Sequence, residues 1–338
     1  MSKAKILMMT RKYGKTFGHD SVIDNLSLKL SELGYDVVIG ANVFFKKPSF
    51  DISTINLGSP FTNQDLINKD FDLVHNHQTL MNFASLKIKK PFIFHYHGIA
   101  NSIQKINLIL SLNLCKNNIS QIISVSNSAA SHLNFTKIPI NVIFNGVDTK
   151  KYHPNIVNSL KINYPQLLFV GRLNKYKNIQ NLINFIPNIT KKFPNAHLSI
   201  VGTGDYLEDL QKLVSNLMVS DKISFLGHLE TEQLKIKYAE SDIYVSSSLK
   251  EAYPVPPMEA MGCGKPILLS NIPAHQEIIS QSSAGYTFSL DNQEDFLKKL
   301  ELILKEKNMM TKNAIKFSKK YDWENIALRI SKIYSQLL

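Results

Sequence analysis

The segment LKEAYPVPPMEAMGCGKP, residues 249–266, sets two carboxylates eight positions apart, Glu251 and Glu259, with Pro254, Pro256 and Pro257 between them. Proline fixes φ, so a stiffened backbone sets the separation of the two acids. Carboxylates are acceptors, and sugar hydroxyls are suitable donors to them. A proline pair is cheapest where a helix opens, because the first N–H groups lack partners there anyway. The sequence therefore predicts a helix starting at Pro256–Pro257, with Glu259 in its first turn, where the helix dipole favours a charged acid. A plainer reading fits the same residues: Glu259 caps the helix and Glu251 is simply solvated.

Upstream, LLFVGRLNKYKNIQNLI reads as a strand ending at Gly171, with a helix opening near Lys177 or Asn178. Arg172 and Lys177 then flank a helix N-terminus at the carboxyl edge of a sheet. Two cations beside free backbone N–H groups suit a diphosphate; an exposed basic turn would look the same. LSIVGTGDYLEDL carries Gly202 and Gly204 but lacks the third glycine of the dinucleotide fingerprint, so a tight turn is expected there. Two His-x-His pairs, His75/His77 and His95/His97, each place both imidazoles on one strand face. That raises a metal site. No Asp, Glu or Cys cluster completes a ligand spacing, so no metal is assigned. His97, followed by Gly98 at the end of its strand, is the one placed to face a cleft.

Short β-branched runs alternate with amphipathic segments along the whole chain. AKILMM, DVVIGA, DLVHNH, PFIFHYH, QIISVS and INVIF read as strands in the first half. QLLFVG, HLSIVG, KISFLG, DIYVSS, KPILLS and GYTFS do so in the second. Strand–helix alternation means α/β architecture with parallel sheets. Two such blocks imply two Rossmann-like domains facing across a cleft, with ligands beyond the carboxyl ends of the strands. The expected division is 1–160, 161–320 and a terminal helix over 321–338 that packs back toward the first domain.

Composition bounds the setting. The chain has 338 residues, 44% hydrophobic and 20% charged, as in a soluble globular protein. It has no apolar run long enough to span a bilayer. Cys115 and Cys263 are its only cysteines, which fits packed thiols in a reducing cytoplasm. Of the net charge of +12, residues 1–165 hold 18 Lys+Arg against 9 Asp+Glu, hence +9. That asymmetry suggests an anionic partner for the first half, such as a membrane face, and equally fits a solubilising surface. Without an aromatic-interleaved basic cluster, nucleic acid is not expected.

In order, FVGRLNKYKN, VGTG, FLGHL and EAYPVPPMEAMGCGKPILLSN resemble the retaining nucleotide-sugar glycosyltransferases of the GT-B fold, specifically glycosyltransferase family 4. FNGVDTKKYHP resembles the end of that family's first domain. The resemblance implies the roles that follow. Arg172 and Lys177 neutralise the donor diphosphate, near Gly171. Glu259 binds the ribose hydroxyls, and Glu251 the transferred sugar. Tyr253, Pro254 and Val255 line the donor, with the Val255 N–H toward the diphosphate. Gly227 and His228 touch the base. His97 reaches the donor sugar from the first domain, and Gly14 or Gly18 supplies a close approach in the first loop. The family often has a Gly-Gly pair in that loop and a glycine where Ala252 stands.

The implied reaction moves a sugar, with retention, from a UDP- or GDP-linked donor to a glycan, lipid-linked or small-molecule hydroxyl. It needs no metal or other cofactor. A cytoplasmic enzyme, at the inner membrane face or free of it, is the expected setting. Two competing readings are a glycosidase built on Glu251 and Glu259, which leaves Arg172 and Lys177 without a role, and a non-catalytic nucleotide-sugar sensor on the same fold.

Overall fold

The computed structural model describes residues 4–14, 17–48, 50–58, 63–98, 101–156 and 164–338. The chain divides into two compact units, Met1–Gly146 with Tyr321–Leu338, and Val147–Lys320. The boundary expected at 160/161 lies outside the described residues.

In the first unit, β1 (Lys5–Tyr13), β2 (Asp36–Phe44), β3 (Ser53–Asn56), β4 (Leu73–Asn76), β5 (Phe92–Tyr96), β6 (Gln121–Ser124) and β7 (Ile140–Val142) form a sheet. Their spatial order is β3-β2-β1-β4-β5-β6-β7, and every pairing is parallel. Continuous apolar runs such as Ile6–Met9, fully buried, are what a sheet covered on both faces requires. The helices are α1 (Phe17–Glu32), α2 (Gln64–Asp70), α3 (Ser102–Leu114) and α4 (Asn127–Ala130). Helix α1 buries Val22, Ile23, Leu26 and Leu30, and the chain turns just beyond it at Gly34, whose φ is +92°. The edge strand β3 was not among the expected strands: STIN is short, polar and largely exposed, so it carries no hydrophobic signal.

The second unit has β8 (Gln166–Val170), β9 (His197–Val201), β10 (Ile223–Phe225), β11 (Ile243–Ser246), β12 (Ile267–Ser270) and β13 (Gly285–Phe288). Their order is β10-β9-β8-β11-β12-β13, again all parallel. Its helices are α5 (Ile179–Lys192), α6 (Leu207–Asn216), α7 (Thr231–Glu240), α8 (Val255–Gly262), α9 (Pro273–Ser282), α10 (Gln293–Lys305) and α11 (Lys307–Lys320). Phe169, Ile200, Val245 and Leu268 from the strands pack with Ile183 and Ile186 of α5 and Phe296 and Leu300 of α10 in one core.

The last helix, α12 (Trp323–Leu337), belongs to the first unit. The Asp322 side chain caps it, accepting from the Glu324 N–H at 2.8 Å. It packs on α1. Trp323 lies against Gly146, where an added Cβ would meet the indole at 2.8 Å.

Strand order reverses between β1 and β4 in the first sheet and between β8 and β11 in the second. Ligands of open α/β sheets bind at such switch points, beyond the carboxyl ends of the strands. Gly14 and His77 follow β1 and β4; Gly171 to Lys177 and Ser247 to Val255 follow β8 and β11. The topology thus brings Gly14, and in the second unit Gly171 to Lys177 and Ser247 to Val255, to a switch point, while His97 follows β5 one strand further on and Gly227 and His228 follow the edge strand β10.

Candidate active site

In the second unit the loops after β8, β9, β10 and β11 are tied to one another. Gly202 N–H donates to the Gly227 carbonyl at 2.7 Å, and Leu173 N–H to the Thr203 carbonyl at 2.9 Å. An added Cβ at Gly202 would lie 1.9 Å from the Gly171 carbonyl oxygen, and at Gly204 2.0 Å from that of Leu173. Here the G-x-G is a requirement of close backbone packing, which seats the loop carrying Arg172. Ser247 Oγ donates to the Asn178 carbonyl at 2.7 Å, and Leu249 N–H to the Tyr176 carbonyl at 2.8 Å. These bonds fix the end of β11 against the start of α5.

On that frame Arg172 is exposed. A single-turn 3₁₀ helix, Lys175–Lys177, precedes α5, and the Asn174 side chain accepts from the Lys177 N–H. Helix α5 itself opens at Ile179, after Asn178 in the left-handed region at φ 54°, one to two residues later than expected. Lys177 Nζ donates to Glu251 Oε1 at 2.5 Å. Structure thus brings together two residues that the family resemblance assigns to different parts of a donor.

Helix α8 starts at Val255 with Pro254 as its cap, so Pro256 and Pro257 fall inside its first turn. Glu259 consequently sits past the first turn, one residue deeper than the sequence suggested, and the helix-terminal dipole acts on it less. Its surroundings are instead aromatic. Tyr238 Oη donates to Glu259 Oε2 at 2.8 Å, and Tyr152 also hydrogen-bonds the carboxylate. Burial pushes the Glu259 carboxyl above its ordinary range, against the pull of the two phenols and Lys151. Gly227 has φ +65°, and His228 is half-exposed with Nε2 3.4 Å from Glu230 Oε1. Tyr253 is buried, and Pro254 and Val255 are partly exposed beside it.

His275 was missed by the sequence reading. It is fully buried near Glu251 and Lys177, its Nδ1 3.0 Å from both the Oγ and the carbonyl of Ser270, and burial holds it down to about 4. Tyr152 and Tyr238 were missed as well. Their only sequence signal is being aromatic, since partnership with Glu259 is a tertiary fact.

In the first unit, His75 and His77 at the end of β4 meet His95 and His97 at the end of β5. His75 Nε2 lies 3.1 Å from His95 Nδ1, and His77 Nδ1 lies 3.0 Å from His97 Nε2. Along each strand the rings stack, with centroids 4.6 Å apart for His75/His77 and 4.5 Å for His95/His97. Two residues distant in sequence complete the array: Tyr334 Oη is 2.6 Å from His75 Nδ1, and His19 Nε2 is 2.9 Å from the His77 carbonyl.

The histidine pairs are thus joined by a ligand spacing that sequence reading did not find, in two triads, His19/His77/His97 and His75/His77/His95. Two N···N contacts, His75–His95 and His77–His97, use four of the ring nitrogens. His19 Nδ1, His77 Nε2 and His95 Nε2 are buried without a hydrogen-bond partner, and one ligand atom from each member of a triad lies within 4.8 Å of the others. Burial keeps His75, His77, His95 and His97 neutral, with His75 down to about 3. Gly14 has φ +86°, and an added Cβ would lie 2.7 Å from the Lys46 backbone nitrogen, whereas Gly18 has open space.

Two parallel-sheet units of this topology, with this ordered set of motifs in the second, define a glycosyltransferase of the GT-B class. Residues 154–332 match the family described as Glycosyl transferases group 1, and residues 18–151 match Glycosyltransferase Family 4; the chain belongs to the group 1 glycosyltransferases. It is 25% identical to an uncharacterised glycosyltransferase of Methanocaldococcus jannaschii, over 94% of this chain and 90% of the relative. It is 31% identical to the O-antigen chain mannosyltransferase of Salmonella typhimurium, over 57% of this chain and 53% of that one. In fold it is similar to the Anabaena protein HepE, solved with UDP and glucose, at a TM-score of 0.82 and 19% identity over 99% and 100% of the two chains. Among the described residues, no helix is long and apolar enough to cross a membrane.

Proposed function

We propose that this glycosyltransferase takes its sugar from a nucleoside-diphosphate donor, UDP- or GDP-linked, and transfers it with retention to an acceptor hydroxyl. The observation that carries the reading is the edge around β8 and β11. Exposed Arg172 and the Lys177–Glu251 pair stand there beside the start of α5, with Glu259 held by Tyr238 in the following helix. The HepE structure, solved with UDP and glucose, supports a nucleotide-sugar donor, and the mannosyltransferase relative supports transfer of a sugar.

In this reading Arg172 and Lys177 neutralise the diphosphate, assisted by the Val255 N–H and the backbone at Gly171. Glu259 accepts from the ribose hydroxyls and Glu251 from the transferred sugar. The backbone at Gly227 and His228 meets the base, and Tyr253 and Pro254 shape the loop between the acids. His97 is assigned to the donor sugar and Gly14 or Gly18 to a close approach, both on the family resemblance.

The acceptor hydroxyl attacks the anomeric carbon as its bond to the diphosphate breaks, and the proton passes to the departing phosphate oxygen. Fixed cations and amides stabilise that leaving group electrostatically, so the reaction requires no metal.

The test is a thermal-shift and donor-hydrolysis screen over UDP-, GDP-, ADP- and dTDP-sugars. One donor should stabilise the wild type and release nucleoside diphosphate slowly, with retained configuration in the sugar released. Binding without release, even with acceptors present, would mean a sensor rather than an enzyme of this mechanism.

A further inference from the structure

We propose that the outward face of α3 docks on an anionic lipid bilayer. The proposal stands apart from the donor reading, because it rests on a different element and different residues.

Helix α3, SIQKINLILSLNL, is firmly specified: Asn101 caps it, accepting from the Gln104 N–H at 2.9 Å. Its inner face buries Leu108, Ser111 and Leu112 against the turn Thr79–Leu86, with Asn82 donating to Ser111 Oγ at 3.3 Å. An ordinary surface helix is polar on the other side. This one is not. Ile103, Ile106, Leu110 and Leu114 recur at spacings of three, four and four, which puts them in one stripe opposite the buried face. They are 71%, 64%, 50% and 57% exposed, and Ile109 borders them. Leu86, in the turn beneath, is exposed too. A contiguous apolar stripe of this kind marks an interaction surface.

Charge selects the occupant. Between Asp72 and Asp148 the chain has no Asp or Glu at all, while it carries Lys87, Lys89, Lys90, Lys105, Lys116 and Lys137. Lys87, Lys89, Lys105, Lys116 and Lys137 are exposed. Lys105 stands on α3 itself, on the flank beyond Ile109, and Lys116 follows two residues past the helix end, both exposed, where such stems can run beside apolar chains while the ammonium groups reach outward. An apolar stripe with exposed lysines on and beside its helix, in a stretch of chain without carboxylates, is the pattern of an interfacial helix, held by buried side chains and by attraction to acidic headgroups. A second copy of the chain fits less well, because a two-fold contact through this face would set lysines against lysines with no carboxylate between them.

The test uses the full chain and vesicles of phosphatidylcholine alone or with about a third phosphatidylglycerol at low salt. The wild type should co-sediment with the acidic vesicles about tenfold or more above the neutral ones, and salt should weaken that binding. Ile106→Ser with Leu110→Ser should abolish it, and Lys105→Glu with Lys116→Glu should remove the preference for acidic lipid. Met309→Ser, an equally exposed apolar residue elsewhere, should change nothing. All replaced side chains are exposed, so the unfolding midpoint should hold. The serine variant should keep its donor-induced thermal shift, so failure here leaves the donor reading standing. Absence of a lipid preference in the wild type, or full binding by the serine variant, would overturn the proposal. So would a wild-type dimer that the serine variant splits, which would give the face to a second copy.

Discussion

Lys177 Nζ lies 2.5 Å from Glu251 Oε1, and the two side chains are only 15% and 12% exposed. The proposed donor site gives the lysine to the diphosphate and the acid to the sugar, yet here they neutralise each other. On that assignment donor binding would exchange one ion pair for two separate contacts. Neither charge is left uncompensated in the meantime, which spares the protein the cost of a buried unpaired ion.

This exchange separates the two variants. Lys177→Ala should weaken nucleoside-diphosphate binding about 10- to 100-fold, the range of one charge-assisted hydrogen bond. Glu251→Ala releases the lysine, so diphosphate binding should hold or tighten while turnover of the sugar donor falls. Titration calorimetry alongside steady-state kinetics reads both. Equal losses of diphosphate affinity in the two variants would contradict the division of labour.

Glu259 offers a stability test with a definite sign. Burial raises its carboxyl, so the folded protein holds that proton more tightly than the unfolded chain does. Its ionisation therefore costs stability above the carboxylate range, and the cost disappears as pH falls through the raised value. Glu259→Gln keeps an acceptor for Tyr238 and removes the charge. It should raise the Tm near neutral pH while losing the donor-induced shift, and the gain over wild type should shrink on acidification. A Tm that falls would show that the carboxylate itself stabilises the fold.

The histidine array has the opposite sign. His75, His77 and His95 are held below their ordinary value by burial. The unfolded chain then binds the extra protons, and stability drops as pH falls below about 6.5, by up to about 1.4 kcal/mol per pH unit for each histidine. Denaturant midpoints between neutral pH and about pH 4 should fall steeply, and His75→Phe should flatten the slope. An unchanged slope would mean these imidazoles titrate normally.

The same array tests metal independence. Transfer activity should survive exhaustive treatment with EDTA, because in the proposed reaction the leaving group is met by Arg172 and Lys177. Loss of activity restored by zinc would instead assign one of the histidine triads to a needed metal.

Gly202→Ala and Gly204→Ala should each cost about 2–4 kcal/mol or displace the Arg172 loop, since the new methyl would lie 1.9 or 2.0 Å from a carbonyl oxygen. Chemical denaturation and donor affinity would register either effect.

Much of the architecture was legible in the sequence because buried parallel strands are apolar throughout and short. That is why β1, β5, β8 and β12 stand out, and why polar, edge-lying β3 does not. The helix after Glu251 was placed one residue late. Prolines permit several starts within a first turn, and only backbone geometry chooses Val255. Pairings between residues far apart carry no local signal, so Lys177–Glu251, Tyr238–Glu259 and Tyr334–His75 had to come from the structure. Even the histidine pairs were visible only as strand neighbours until His19 and Tyr334 joined them.

The most direct test of the central claim is titration calorimetry of UDP and GDP into the wild type, Arg172→Ala and Glu259→Ala. One nucleotide should bind the wild type at one site, and each variant should bind it at least about tenfold more weakly. Binding that neither substitution disturbs, or no binding of either nucleotide, would contradict the assignment of the β8–β11 edge as the donor site.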